Sequence, residues 1–492
     1  MKIVSRTLSS LLMLGAAVLF SGVISSAAAQ ATDWQKIPIA PLPAFHPQEP
    51  KRFELPNGIV IFLQEDHELP LIHGFARIRG GSRSEPVAKI GLVDIYGEVW
   101  RTGGTKSQTG DQMDDFLEAR AAKVETGGGL DSTTIGLSCL KADFDDVFKA
   151  FVDLLRNPEF REDKLELAQR GTFDAISRRN DDAGEIAGRE STILGYGAKS
   201  PFARMAEYAT VAAITRQDLV AWHKAHAYPN NIILGLSGDF DTAATESRLR
   251  ELFGSWAKGP AHKKEDAPIA PAKPGYYLVN KSDVNQSEIS MVEPGIVRNS
   301  PDYYATQVFN EAFAGGFSSR VFYDIRSKAG LAYSVGGGVG SAFDHVGLTR
   351  FGMGTKSEST VESIQALFKE IDDLAKRPLT DAEIQRAKDT ILNSFIFNFD
   401  SPDKVMRERM QYEFYGYPAD YLEQYRTGVE KVTKEDVARV AAKYVHKEKF
   451  AVLVVGNTAE FGRPMTTLGA VTPIDITIPP PPGETAAGAD KK

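Results

Sequence analysis

Two distant stretches of this sequence read almost alike, and the duplication restricts the chain to folds made from two copies of one unit. Ile214-Thr215-Arg216-Gln217-Asp218-Leu219 opens a helical pattern that runs to Tyr228-Pro229, and a strand from Ile232 to Ser237 then ends at Gly238. Val432-Thr433-Lys434-Glu435-Asp436-Val437 opens a second such helix, and the strand Phe450 to Val455 ends at Gly456. Thr433, Asp436 and Gly456 each lie 218 residues after Thr215, Asp218 and Gly238, so the register holds without a gap across helix, loop and strand. Each Thr is expected to cap its helix by accepting from first-turn amides, and each Asp to sit favourably at the positive helix end.

Further elements repeat around these. Phe144, Val147, Phe148, Phe151, Leu154 and Leu155 fall at helical spacing, as do Val361, Ile364, Leu367, Phe368 and Ile371. Alternating or apolar runs at Ile59 to Leu63, His73 to Ile78 and Thr134 to Leu140 predict strands. Strands mixed with helices in duplicated halves imply an α+β fold of two homologous domains. The Pro/Lys/Ala-rich stretch Lys258 to Pro274 is the expected linker. The predicted organisation is a first domain at 50–257, the linker at 258–274, a second domain at 275–470 and a Pro-rich tail at 471–492.

The N-terminus predicts export. Lys2 and Arg6 precede an apolar run from Leu11 to Ile24 and the small residues Ser25 to Ala29, the pattern of a secretory signal peptide over 1–29. Ala29 and Ala31 are both candidate cleavage boundaries. No cysteine follows the run, which argues against a lipid anchor there, and no later stretch reaches the roughly 20 apolar residues of a membrane span. The expected destination is the periplasm, with the extracellular space as the alternative. A net charge of −8 speaks against a nucleic-acid partner. The single cysteine, Cys139, excludes an internal disulfide framework and a Cys-rich zinc module, and is expected to be a small buried hydrophobe.

The most specific segment is Asn310 to Gly338, NEAFAGGFSSRVFYDIRSKAGLAYSVGGG. It predicts a Gly315-Gly316 turn, a helix from about Ser318 to Ser327 carrying Arg320 and Arg326, and a turn at Gly330 into a strand holding Tyr333. This segment resembles the second-domain signature of the insulinase/pitrilysin family of zinc metallopeptidases, with its Gly-Gly turn, Ser-Arg-Leu-Phe, arginine and Gly-Leu-x-Tyr. The resemblance extends from about Phe53 to Gly456. It implies two domains, each a mixed, largely antiparallel sheet packed with helices, facing each other as a clam-like chamber. It also implies that Arg326 and Tyr333, seven residues apart, reach a peptide held at the zinc of another domain. Arg320 is assigned a structural role.

The family's first domain carries H-x-x-E-H on a helix, two zinc ligands and a general base. The matching stretch here is Gly91-Leu92-Val93-Asp94-Ile95-Tyr96-Gly97-Glu98-Val99. Asp94 and Glu98 stand at the histidine positions and Gly97 at the base. The third ligand falls near Asp174 or Ala175. An all-carboxylate site of Asp94, Glu98 and Asp174 would hold zinc weakly and have no base, so no metal is expected in this chain. His223 and His226, spaced i and i+3, are read as helix-surface residues, and no histidine forms a recognisable triad. The clusters Gly103-Gly104 and Gly127-Gly128-Gly129 lack the phosphate-loop spacing and are read as turn glycines. In the family, the region of Lys123 to Thr133 leads into an edge strand that pairs with substrate. The resemblance therefore makes Val124, Glu125, Thr126, Gly127, Gly128 and Gly129 candidate peptide-docking positions by strand addition.

The functional expectation is an exported subunit that binds peptide and complements the zinc active site of a partner carrying H-x-x-E-H. Such a chain is not proteolytic alone and needs no cofactor of its own; zinc is expected on the partner. The alternatives are a non-catalytic structural or peptide-binding homologue and, with less support, a self-sufficient hydrolase using another metal through Asp94 and Glu98.

Overall fold

A computed structural model describes residues 47–263 and 267–483; the signal segment at 1–29 lies outside them. The first half places β1 (Lys51–Glu54), β2 (Val60–Glu65) and β3 (Leu71–Arg79) ahead of the helix α1 (Leu92–Thr102). Then come β4 (Lys123–Gly128), β5 (Ser132–Leu140), α2 (Phe144–Arg156), α3 (Glu162–Arg178), α4 (Ala183–Tyr196), α5 (Arg216–His226) and β6 (Ile232–Gly238). The second half repeats the order with β7 (Gly275–Asn280), β8 (Gln286–Pro294), a two-residue β9 (Ile296–Val297) and α6 (Tyr303–Asn310). It continues with β10 (Ser334–Gly338), β11 (Ser341–Ala342), β12 (Leu348–Lys356), α7 (Thr360–Asp373) and α8 (Asp381–Phe395). The chain closes with α9 (Pro402–Tyr415), α10 (Lys434–Tyr444), β13 (Ala451–Gly456) and β14 (Val471–Pro473).

The sheets run β1-β2-β6-β3-β5-β4 and, in the corresponding direction, β14-β7-β13-β8-β12-β10. In both, the second and third strands pair in parallel, and the third, fourth, fifth and sixth pair antiparallel in turn. The outermost strand differs: β1 is antiparallel to β2, whereas β14 is parallel to β7. The duplicated helix starts share their Asp-to-amide bond but differ at the Thr: the Thr433 hydroxyl accepts from the Asp436 amide at 3.1 Å as expected, whereas the Thr215 hydroxyl accepts no first-turn amide among the described residues. The Asp218 carboxylate accepts from the Thr215 amide at 2.8 Å, and that of Asp436 from the Thr433 amide at 3.1 Å. Each arrangement satisfies backbone donors that the helix leaves unpaired.

What the spacing does not predict is an exchange of helices between the halves. α9, from the second half, covers the first sheet, burying Met406, Met410 and Phe414 against Phe62 and Ile233. α4, from the first half, covers the second sheet, with Ile186, Ala187 and Leu194 against Val292, Leu453 and Val455. Burying each large apolar side chain is worth roughly 1.5–3 kcal/mol. An exposed ion pair such as Arg52 with Glu413, at 2.8 Å, contributes about 0–1 kcal/mol. The exchanged helices, not the rim charges, therefore hold the halves together. Residues 471–476 of the expected tail also join this framework, since Val471–Pro473 forms β14 and Ile474 and Ile476 pack beside α4.

Candidate active-site remnant and an exposed arginine–tyrosine surface

α1 is amphipathic, burying Leu92, Val93, Ile95, Tyr96, Val99 and Trp100 in the first core while Asp94 and Glu98 face solvent. Its N-terminus is capped from outside by Glu85, whose carboxylate accepts from the amides of Gly91 and Val93, both at 3.1 Å. Burial with Asp94 nearby pushes the Glu85 carboxyl up to about 7, and protein packed around Asp94 raises its carboxyl as well. The edge strand β4 lies against α1. Asp94, Gly97, Glu98, Arg101, Thr102 and the β4 residues Glu125 to Gly128 line a shallow cavity of about 340 Å³. The Thr126 hydroxyl donates to the Gly97 carbonyl at 2.5 Å, and Arg101 Nε donates to the Val124 carbonyl at 2.7 Å.

Gly97 is what permits this closeness. A Cβ there would lie 2.2 Å from the Gly128 nitrogen, and one on Gly128 would lie 2.3 Å from the Val93 carbonyl oxygen. The position that aligns with the general base thus faces backbone, and no acidic side chain fits. Asp174 is exposed on α3 and is absent from the lining of the cavity beside Asp94 and Glu98. Among the described residues no group of three or more His, Cys, Asp or Glu is placed to hold a metal ion. With no imidazole at either ligand position and no room for a base, the residues present do not fit a catalytic zinc. Of the docking candidates, Val124 is buried and Glu125 exposed, while Gly129 lies just past the strand end. β4 pairs only with β5, so its outer edge has no strand partner among the described residues.

The arginine and tyrosine of the second half are brought together. The Arg326 guanidinium lies 4.8 Å from the Phe322 ring centre and 5.3 Å from that of Tyr333. Tyr333 is 77% exposed and stands just before β10, its amide donating to the Gly354 carbonyl at 3.0 Å. No carboxylate pairs with Arg326 among the described residues. The expected helix at Ser318 to Ser327 is wound differently: Phe322–Lys328 is a wide π-type turn, with the Ala329 amide donating to the Asp324 carbonyl at 3.1 Å. Ser318 and Ser319 belong to the preceding turn, where the Ser319 amide bonds the Gly316 carbonyl at 3.0 Å. Such π segments are frequent at functional sites. Gly330 has a φ of +67°, as its predicted turn requires. Arg320 is different in kind. It is buried, bonds both Glu383 oxygens at 2.8 and 2.6 Å, and reaches the Pro378 carbonyl at 3.1 Å.

Comparison with known proteins now bears on this geometry. Residues 213–391, which include the whole arginine–tyrosine segment, match the sequence family described as "Peptidase M16 inactive domain". Over those residues the chain is similar to the M16 inactive domain. An uncharacterized zinc protease of Streptomyces coelicolor is 24% identical over 409 residues, 80% of this chain and 86% of that protein. A non-peptidase homolog from Helicobacter pylori is 21% identical over 403 residues, covering 81% and 92% respectively. The fold matches a solved peptidase M16 inactive domain from Pseudomonas fluorescens with a TM-score of 0.75 at 22% identity, over 85% of this chain and all of that one. It also matches a Helicobacter pylori protease at 0.72 and 17%, over 84% and 100%. The fold of these two solved structures is therefore shared.

One of the two α5 histidines departs from the expected helix-surface position. His223 is not on the helix surface: it is 9% exposed, its Nδ1 lies 2.9 Å from the Tyr96 hydroxyl, and burial lowers it to about 4. His226 stacks on Trp222, ring centres 4.0 Å apart. His226 stays half-exposed, whereas His223 is enclosed by α1 and its aromatic residues, which are distant in sequence and leave no mark in the α5 pattern. Cys139 is buried as expected, with its thiol pushed up to about 11. Among the described residues no helix is long and apolar enough to cross a membrane.

Proposed function

We propose that this chain is an exported subunit of a zinc peptidase, located in the periplasm and not proteolytic alone, that binds peptide and presents Arg326 and Tyr333 to complement the zinc site of an H-x-x-E-H partner. The observation that carries this reading is the contrast between its two candidate sites. Gly97 has no space for a base, whereas Arg326 and the 77%-exposed Tyr333 lie together at the surface. A peptide carbonyl under attack develops negative charge, and a guanidinium and a phenol are suitable donors to hold it. The free edge of β4 suits backbone pairing with an extended peptide. The name of the Helicobacter pylori relative supports a non-catalytic role.

Kinetics on the complex test the proposal. Arg326→Ala or Tyr333→Phe should leave folding and partner binding intact while cleavage falls about 10²–10³-fold. Arg320→Ala is the control and should act through stability, losing up to about 3 kcal/mol, because it removes the cation that, together with bonds from Thr380, holds the half-buried Glu383 carboxylate down at about 2. Unchanged cleavage in both the Arg326 and Tyr333 variants would favour the structural or peptide-binding homologue instead.

A further inference from the structure

A separate cavity of about 580 Å³ opens in the second half, between the loop before α6, the end of α8 and the helix α9. Its size is that of a small-ligand site. Its walls are aromatic, including Tyr303, Phe343, Phe395 and Tyr425, and Arg298 lies among them with its guanidinium 3.8 Å from the Phe343 ring centre. Two polar groups on the lining lack protein partners among the described residues and are shielded from solvent: Arg298 Nε and the hydroxyl of Tyr421, a residue 94% buried. Leaving such groups unpaired is costly, and both are donors. The other cations at the mouth are occupied, Lys404 by Asp400 at 2.7 Å and Arg407 by Asp403 at 2.6 Å. The one acid on the lining, Glu408, lies beside the Tyr412 hydroxyl.

We infer that this cavity binds an aromatic carboxylate, with the anion on Arg298 and Tyr421 and the flat body between the rings. The charge balance decides the sign. An aromatic cage alone would suit a quaternary ammonium, but here the unpaired group is itself a cation. Nothing in this site depends on Arg326, Tyr333 or a partner subunit. A free small acid and the C-terminal aromatic residue of a peptide offer the same chemistry.

Calorimetric titration of the full chain tests it with N-acetyl-phenylalanine, its amide, the tetrapeptide Ala-Ala-Ala-Phe as acid and as amide, and phenyltrimethylammonium. The acids are expected to bind, the amides about tenfold or more weaker, and the cation not measurably. Arg298→Gln should weaken acid binding about tenfold or more, and Tyr421→Phe, which keeps the ring, severalfold. Equal affinity for the two acids identifies a free small ligand; tighter binding of the tetrapeptide identifies a peptide end. No acid binding at millimolar concentration, equal affinity for acid and amide, preference for the cation, or wild-type affinity in a folded Arg298→Gln overturns the inference. If Arg298→Gln fails to fold, the acid–amide pairs on the wild type and on Tyr421→Phe decide it.

Discussion

α1 with β4 and α6 with β10 occupy the same place in the two copies of the repeat, yet they are finished in opposite ways. In the first half the helix runs on through Gly97 and the edge strand settles onto it, the Thr126 hydroxyl bonding the Gly97 carbonyl. In the second, α6 ends at Asn310 and continues as a wide turn, Glu311–Gly315, while the Asn310 side chain ties the end of the edge strand through the Val339 amide and carbonyl at 2.7 and 3.0 Å. The helix starts differ as well. The Glu85 carboxylate bonds the amides that open α1, whereas Asp302 at the start of α6 accepts from Arg439, Lys443 and the Tyr444 hydroxyl, which hold it well below the usual carboxylate range. One frame thus closes over its first site and presents side chains at its second, so a shared fold does not carry shared chemistry.

The sharpest way to break the comparison is to restore a side chain at the closed site. Gly97→Glu should destabilise the chain by about 3 kcal/mol or more, since its Cβ meets the β4 backbone and its charge is buried. Gly97→Ala should cost about 1–3 kcal/mol. Gly336→Ala on β10 should cost less, because its Cβ comes no nearer than 3.1 Å to the Ala314 oxygen. Denaturant melts would show this, and a fully stable Gly97→Glu would mean that β4 yields easily.

The carboxylates at the two helix starts should respond to pH with opposite signs. Folding raises Glu85 from an ordinary 4.5 to about 7, so the folded state holds this proton more tightly. Stability from Glu85 is therefore full below about pH 4.5 and falls by up to about 3 kcal/mol as pH rises through about 7. Glu293, also buried and raised to about 7, adds a loss of the same sign. Folding lowers Asp302, so its contribution is present above about pH 4 and lost only in stronger acid. Glu85→Gln should flatten the fall between pH 5 and 8, and Asp302→Asn should cost about 2 kcal/mol at pH 7 without flattening it. An unchanged slope in Glu85→Gln would contradict the buried-carboxylate assignment.

The smallest effects concern what the halves share. Thr433→Ala, which loses the bond from the Asp436 amide, should cost about 1 kcal/mol, and Thr215→Ala, whose hydroxyl accepts no such bond, less. Equal losses in thermal melts would show that this difference between the repeated helix starts has no energetic weight.

These caps were the most legible feature because a helix start is written in four neighbouring residues. Strand ends at Gly238 and Gly456, and the proximity of Arg326 to Tyr333, were readable for the same local reason or by resemblance. The helix exchange was not. Met406, Met410 and Phe414 mark a buried face on α9, but helical spacing says nothing about which sheet lies beneath it. Nor could spacing show that Gly128 closes over Gly97, that Tyr96 encloses His223, or that Arg298 sits among rings contributed by α6, α8 and segments far along the chain. Each of these depends on residues brought together only by the tertiary fold.

Zinc content and peptide cleavage measured on the purified chain, alone and then mixed with an H-x-x-E-H partner, test most directly the claim that its first-half site has lost its chemistry. The expected result is no stoichiometric zinc and no cleavage by the chain alone, with chelator-sensitive cleavage appearing in the mixture at a rate above that of the partner by itself. Near-stoichiometric zinc together with chelator-sensitive cleavage by the isolated chain would contradict it.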